Sequence, residues 1–217
     1  MDYRIRTAVI LTGISCFVLV ESLLANLHNV AAISKLIASC GFLGVAVLAG
    51  ALRSTYGRIL FAGLACSFAG DLLLIGDSQQ FFLAGLSAFL LAHLGYIAAF
   101  IARGVNVRWM AFAALPIIGI VVAVMRWLAP HTPPDLTVPV YLYTTVISGM
   151  VIAAFGTRGA RAPVLILAGA LMFFLSDLSV ASQRLVQMEF PTYVWGLPLY
   201  YAGQLCLALS VSQSRSH

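Results

Sequence analysis

Apolar residues in this chain come in long unbroken runs, not in the alternation of a strand or the single stripe of a soluble helix. A helix needs about 20 predominantly apolar residues, at about 1.5 Å each, to cross roughly 30 Å of hydrocarbon. Eight runs have that length: Thr7–Ala25, Val30–Leu52, Gly57–Ile75, Gln80–Ala102, Arg108–Ala129, Thr137–Gly156, Ala162–Arg184 and Thr192–Val211. The breaks between them are too short to fold into an extramembrane domain. The pattern therefore predicts an all-α membrane protein: one domain over residues 1–217, a bundle of eight transmembrane helices.

Composition agrees and excludes other classes. Of 217 residues, 62% are apolar and 9% charged, against about a quarter charged in an ordinary soluble domain. No water-facing surface can be built from so few charges, which argues against a soluble enzyme, a disordered tail or a nucleic-acid binder. The net charge of +5 reads instead as an orientation signal. Arg4, Arg6, Arg53, Arg58, Arg103, Arg108, Arg158, Arg161 and Arg215 all fall at the N-terminus, the C-terminus or the second, fourth and sixth connections. The positive-inside rule then places both termini in the cytoplasm, as an even helix count allows. The expected location is the cell membrane, the inner one in a Gram-negative bacterium. The first run, preceded by Arg4 and Arg6, also resembles a secretory signal, and is read here as a retained first helix. Cys16, Cys40, Cys66 and Cys206 stand singly within spans, as small core residues.

An internal repeat organises the chain. Gly63 precedes Asp71-Leu72 by eight residues, as Gly169 precedes Asp177-Leu178; in the next span of each set, Gly85-Leu86 precedes His93-Leu94 by eight, as Gly196-Leu197 precedes Gln204-Leu205. Two such matches in order, four helices apart, suggest parallel halves of residues 1–104 and 105–217, with a site between them. Asp71 and Asp177 would then be counterparts across an axis along the membrane normal.

Charges inside a bilayer are costly and usually functional. At about 1.5 Å per residue, Asp71 lies roughly 20 Å beyond Arg58 and Asp177 roughly 24 Å beyond Arg161, both in the outer half of the membrane. Glu21 and Lys35 reach similar depths, and Glu21 could pair with Lys35 as a structural bridge. Tyr141, Tyr143, Arg184 and Tyr200 also lie toward that end, with His93 and Gln204 deeper. Helical spacing groups Asp177 with Arg184, Tyr200 with Gln204, His93 with Phe89 and Tyr96, and Tyr141 with Thr144, Thr145 and Ser148. His93 serves equally well as an interhelical hydrogen-bond donor, and the Tyr141 stripe as packing or anchoring. Together the groups predict a polar pocket opening toward the outer leaflet.

Metal chemistry has little support: His28, His93, His131 and His217 show no HxxxH or HExxH spacing. Neither a GxSxG elbow nor a glycine-rich phosphate loop occurs. Carboxylate acid-base chemistry remains, with no cofactor expected.

The stretches Gly70-Asp71-Leu72-Leu73-Leu74, Phe82 to Tyr96, Gly169 to Asp177 and Tyr201 to Gln204 resemble the YhhN-like lysoplasmalogenases, and the resemblance covers most of the chain. Two departures stand out: Lys35-Leu36 where the family has Lys-Pro, and Gln183-Arg184-Leu185 where it closes on an aromatic residue. The resemblance implies hydrolysis of the vinyl ether of lysoplasmalogens to a fatty aldehyde and glycerophosphoethanolamine or glycerophosphocholine. That chemistry needs one protonated carboxyl to protonate the alkene carbon β to oxygen, and one carboxylate to stabilise the resulting cation and activate water. Asp71 and Asp177 are the expected pair, with either as the acid. Lys35 and Arg184 are candidates for the lipid phosphate, and Tyr141, Tyr200, His93 and Gln204 for the glycerol hydroxyl or the water. The expected partners are a lysophospholipid and membrane lipids, with no nucleic acid or protein. A small proton-coupled transporter using the same aspartates is the alternative, and a lipid-binding structural protein a third reading.

Overall fold

In a computed structural model, residues 2–76 and 78–213 are described; Arg215 and His217 lie outside them. Eight helices follow one another: α1 (Tyr3–Leu24), α2 (His28–Leu48), α3 (Thr55–Leu73), α4 (Gln79–Arg103), α5 (Val107–Leu128), α6 (Pro134–Gly159), α7 (Val164–Ala181) and α8 (Tyr193–Gln213). All eight are long and apolar enough to span a membrane, and the described residues contain no strand. Each expected run corresponds to one helix, with ends shifted by up to four residues.

Local signals set those ends. Ser54 and Ser78 cap α3 and α4 by accepting the amides of Gly57 and Phe81, and Asn106 accepts from Arg108 at the start of α5. Pro134 opens α6 three residues before the hydropathy run begins, at a first-turn position where the missing N–H costs nothing. Helix α2 stops at Gly50, whose φ of 85° suits glycine, and a 3-10 turn follows at Ala51–Arg53. After α7 the backbone widens into a π-helical turn, Ser182–Val186, ending at Gln187 with φ 54°.

Consecutive helices pair as hairpins: α1 with α2, α3 with α4, α5 with α6 and α7 with α8. Helix α8 also meets α1, α2 and α3, while α6 bridges α4 and α7. Glycines set the closest approaches. A Cβ on Gly63 would strike Tyr96 at 2.7 Å and the Ala92 carbonyl oxygen at 3.1 Å; one on Gly169 would strike Leu207 and the Gly203 oxygen, each at 2.8 Å. At the other end of the same hairpins, Gly85 faces Leu74 and the Gly70 carbonyl, and Gly196 faces Ser179 and the Ser176 carbonyl. Small residues let membrane helices approach this closely.

Phe42, Phe89, Tyr96, Phe173, Tyr200 and Tyr201 form an aromatic centre in which Phe173 lies 4.7 Å from the His93 ring and 5.3 Å from Tyr200, edge to face. Outward faces are apolar, as Phe112 and Leu115 of α5 show. Cys16 is buried as expected, whereas Cys40 is on the exposed side of α2.

Candidate active site

A cavity of about 560 Å³ lies in one half of the bundle's length. Its walls come from the later part of α1, α3, α5 and α7 and the earlier part of α2, α4, α6 and α8, so it occupies the end away from the second, fourth and sixth connections. Most of the wall is apolar, including Leu19, Phe89, Ile147 and Leu197. Into it project two carboxylates, Asp71 from α3 and Asp177 from α7, together with Lys35, Tyr143, Arg184 and Tyr200.

The carboxylates have different company. Asp71 is 4% exposed. Its Oδ2 accepts hydrogen bonds from Ser39 Oγ on α2 and Tyr200 Oη on α8, each at 2.7 Å, and Lys35 Nζ stands 3.8 Å from Oδ1. Ser39 is also 3.2 Å from the Tyr201 hydroxyl. Lys35 and Ser39 meet the same carboxylate because they are one helical turn apart. Asp177 is more open. Its Oδ2 accepts from Tyr143 Oη on α6 at 2.6 Å and lies 3.2 Å from His93 Nε2 on α4, which is itself 3.0 Å from Tyr143 Oη. Both contacts fall on Oδ2, and among the described residues Oδ1 has no hydrogen-bond partner.

Deeper in the bundle a neutral network joins three helices. Tyr96 Oη donates to Gln204 Oε1 at 2.9 Å and lies 2.9 Å from Ser67 Oγ. His93 and Gln204 are fully buried, and His93 Nδ1 and Gln204 Nε2 have no hydrogen-bond partner among the described residues. Neither residue lines the cavity, so the structure brings them together with the site from beneath and not as part of its wall.

The cavity therefore gathers six of the eight expected site residues directly or through one hydrogen bond: Asp71, Asp177, Lys35, Arg184, Tyr200 and His93. Gln204 connects only through the Tyr96 network. Tyr141 does not join them: at 44% exposure it points away from the bundle. The inward face of α6 runs through Val140, Tyr143, Thr144 and Ile147, and position 141 falls outside it by helical rotation. Glu21 is exposed, and Lys35 faces Asp71 in its place. Arg184, on the π-helical turn, is exposed at the cavity's edge with its guanidinium carbon 5.1 Å from the Phe82 ring centre. Gln183 and Thr192 brace that turn: Gln183 Oε1 accepts from the Thr192 amide at 3.1 Å, and Thr192 Oγ1 donates to the Ser179 carbonyl at 2.8 Å. Among the described residues no group of three or more His, Cys, Asp or Glu side chains could hold a metal ion.

Tyr143 and Ser39 are the site residues that sequence spacing did not single out. For Ser39 a signal existed, its position four residues after Lys35. Tyr143 had only its place in the outer part of its span.

An all-helical, multi-pass membrane protein with two carboxylates in an apolar intramembrane cavity is the class these features define. Within it, the chain belongs to the YhhN family, whose model matches residues 30–211. Lysoplasmalogenase TMEM86B of Sus scrofa is 32% identical over 162 residues, 73% of this chain and 66% of the relative. Lysoplasmalogenase TMEM86A of Homo sapiens is 33% identical over 163 residues, 72% of this chain and 66% of the relative. A lysoplasmalogenase of Mycobacterium bovis is 36% identical over 142 residues, 59% of this chain and 51% of that relative. The chain thus matches just under two thirds of the length of the mammalian relatives. No solved structure matches it.

Proposed function

We propose that this protein hydrolyses the vinyl ether bond of lysoplasmalogens inside the membrane. The observation that carries the reading is one apolar cavity holding two carboxylates with unlike partners. The relatives named lysoplasmalogenase support the substrate class.

A vinyl ether is broken by carbon protonation. Asp177, whose Oδ1 has no hydrogen-bond partner among the described residues, delivers a proton to the alkenyl carbon β to oxygen, and the adjacent carbon becomes an oxocarbenium ion. Asp71, held by hydrogen bonds from Ser39 and Tyr200 with the Lys35 ammonium beside it, is the anion next to that cation. Water adds to the cationic carbon as Asp71 takes its proton, giving a hemiacetal. In the collapse, the hemiacetal hydroxyl returns a proton to Asp177 while Asp71 protonates the departing glycerol oxygen. A fatty aldehyde and a glycerophospho compound leave, and both carboxyl groups return to their starting states. Arg184, at the edge, suits the phosphate, for which its planar fork is better shaped than an ammonium. The alkenyl chain lies along the apolar wall.

In detergent-purified protein given lysoplasmalogen, Asp71→Asn and Asp177→Asn are each expected to lower aldehyde release by about 10²-fold or more without loss of the folded protein. Near-normal turnover in either variant would sink the two-carboxylate mechanism. Absence of aldehyde from the unmodified protein, with proton flux into liposomes that depends on the same aspartates, would favour the transporter reading.

A further inference from the structure

Of the 12 Lys and Arg residues in the chain, Lys35 is the single lysine. It occupies the cavity, its side chain 15% exposed and its Nζ 3.8 Å from Asp71 Oδ1. Partnering a carboxylate does not require lysine: a guanidinium does so with two parallel hydrogen bonds and never loses its charge. What only the amine offers is a nucleophilic nitrogen once a proton has left. At 3.8 Å, Nζ is beyond hydrogen-bond length, so it stands beside Asp71 without being tied to it. The proton acceptor an amine would need is thus already in place, and the hydroxyls of Ser39 and Tyr200 occupy the other oxygen of the same carboxylate.

The reaction proposed above, on which this inference rests, releases an aldehyde into the same cavity. We propose that Lys35 captures the fatty aldehyde as a reversible imine, so that the product is held in the site before it enters the bilayer. Asp71 takes a proton from the Lys35 ammonium, and Nζ adds to the carbonyl carbon. Transfer of a proton from nitrogen to oxygen gives a neutral carbinolamine. Asp71 then returns its proton to the carbinolamine oxygen, the C–O bond breaks, and water departs. An iminium remains, paired with the Asp71 carboxylate. Addition of water reverses every step, and no electrons are gained or lost. While the imine persists, the alkyl chain occupies the wall that the next lysolipid needs, and turnover slows as aldehyde accumulates.

With one ε-amine in the chain, the test is direct. The full-length protein in detergent is mixed with hexadecanal and sodium cyanoborohydride, and its peptides are weighed by mass spectrometry. A hexadecyl group on Lys35, formed at least about tenfold faster than on the chain's α-amino group, is the expected result, because a positioned amine reacts at a high effective concentration. Lys35→Arg removes the adduct. A parallel sample receives lysoplasmalogen in place of free aldehyde. Protein that releases aldehyde from lysoplasmalogen but labels Lys35 no faster than the α-amino group overturns the inference and leaves the hydrolase reading standing. Labelling from hexadecanal in protein that releases no aldehyde supports capture by Lys35 and overturns the hydrolase reading.

Discussion

Tyr141 and Tyr143, two positions apart on α6, meet opposite environments. The Tyr143 hydroxyl donates to Asp177 at 2.6 Å, whereas Tyr141 is 44% exposed on the outward face. A hydrogen bond to a charged group contributes about 1.5–3 kcal/mol. If Asp177 delivers the proton, Tyr143→Phe should cut kcat for aldehyde release by about 10- to 100-fold, at 1.4 kcal/mol per decade, while Tyr141→Phe stays within about twofold of the parent. Equal effects from the two substitutions would remove Tyr143 from the site. Asp71, Asp177 and Lys35 were legible in the sequence because a charge in a hydrocarbon span has few innocent explanations. The choice between the two tyrosines was not legible. The polar residues of α6, Tyr141, Tyr143, Thr144, Thr145 and Ser148, point in several directions around the helix, so its inward phase is decided by packing against α4, α5 and α7. Ser39 was only weakly marked, by its place four residues after Lys35, because a serine can equally satisfy its hydroxyl on its own helix.

At the level of helices, number and order were legible, since length and hydropathy suffice, and their ends and contacts were not. Caps at Ser54, Ser78 and Asn106 and the opening Pro134 act one residue at a time beneath the hydropathy signal. The π-helical turn is likewise silent in the sequence; the expected seventh run extends unbroken to Arg184, where the structure ends α7 at Ala181 and carries Arg184 on the widened turn. Close contacts between helices depend on glycines that look alike in the sequence but differ in surroundings. A Cβ on Gly169 meets a backbone oxygen of α8 at 2.8 Å, which cannot yield without moving the helix, whereas one on Gly44 has nothing within 4 Å. Gly169→Ala is expected to destabilise the α7–α8 hairpin by about 1–3 kcal/mol, seen as a lower unfolding temperature in detergent. Gly44→Ala should leave that temperature unchanged or raise it, because glycine costs a helix interior about 1 kcal/mol relative to alanine. Matching losses from both would mean that α7 and α8 are not in close contact at Gly169.

For the whole molecule, the two carboxylate environments follow one plan. Asp71 on α3 is met by α2 and α8, and Asp177 on α7 by α6 and α4, so each aspartate is met by one helix of α1–α4 and one of α5–α8. The glycine contacts repeat in the same register: Gly63 against positions 92 and 96, Gly169 against positions 203 and 207. On this correspondence we propose a duplication into residues 1–104 and 105–217, with the candidate site on the seam between the halves. Parallel halves would insert with one orientation, and the positive-inside rule predicts which. Eight of the nine arginines assigned to the cytoplasmic side lie within the described residues, and the helix order carries all eight to the end of the bundle opposite the cavity. If the arginines lie inside, as the positive-inside rule predicts, the cavity opens toward the outer leaflet. An exposed position in the α7–α8 connection and one at the start of α3 distinguish the two orientations. In intact cells, a membrane-impermeant maleimide should label Glu189→Cys and spare Thr55→Cys until the membrane is opened; the native cysteines, all within spans, are shielded from it. The opposite labelling would turn the bundle over and open the cavity toward the cytoplasmic leaflet.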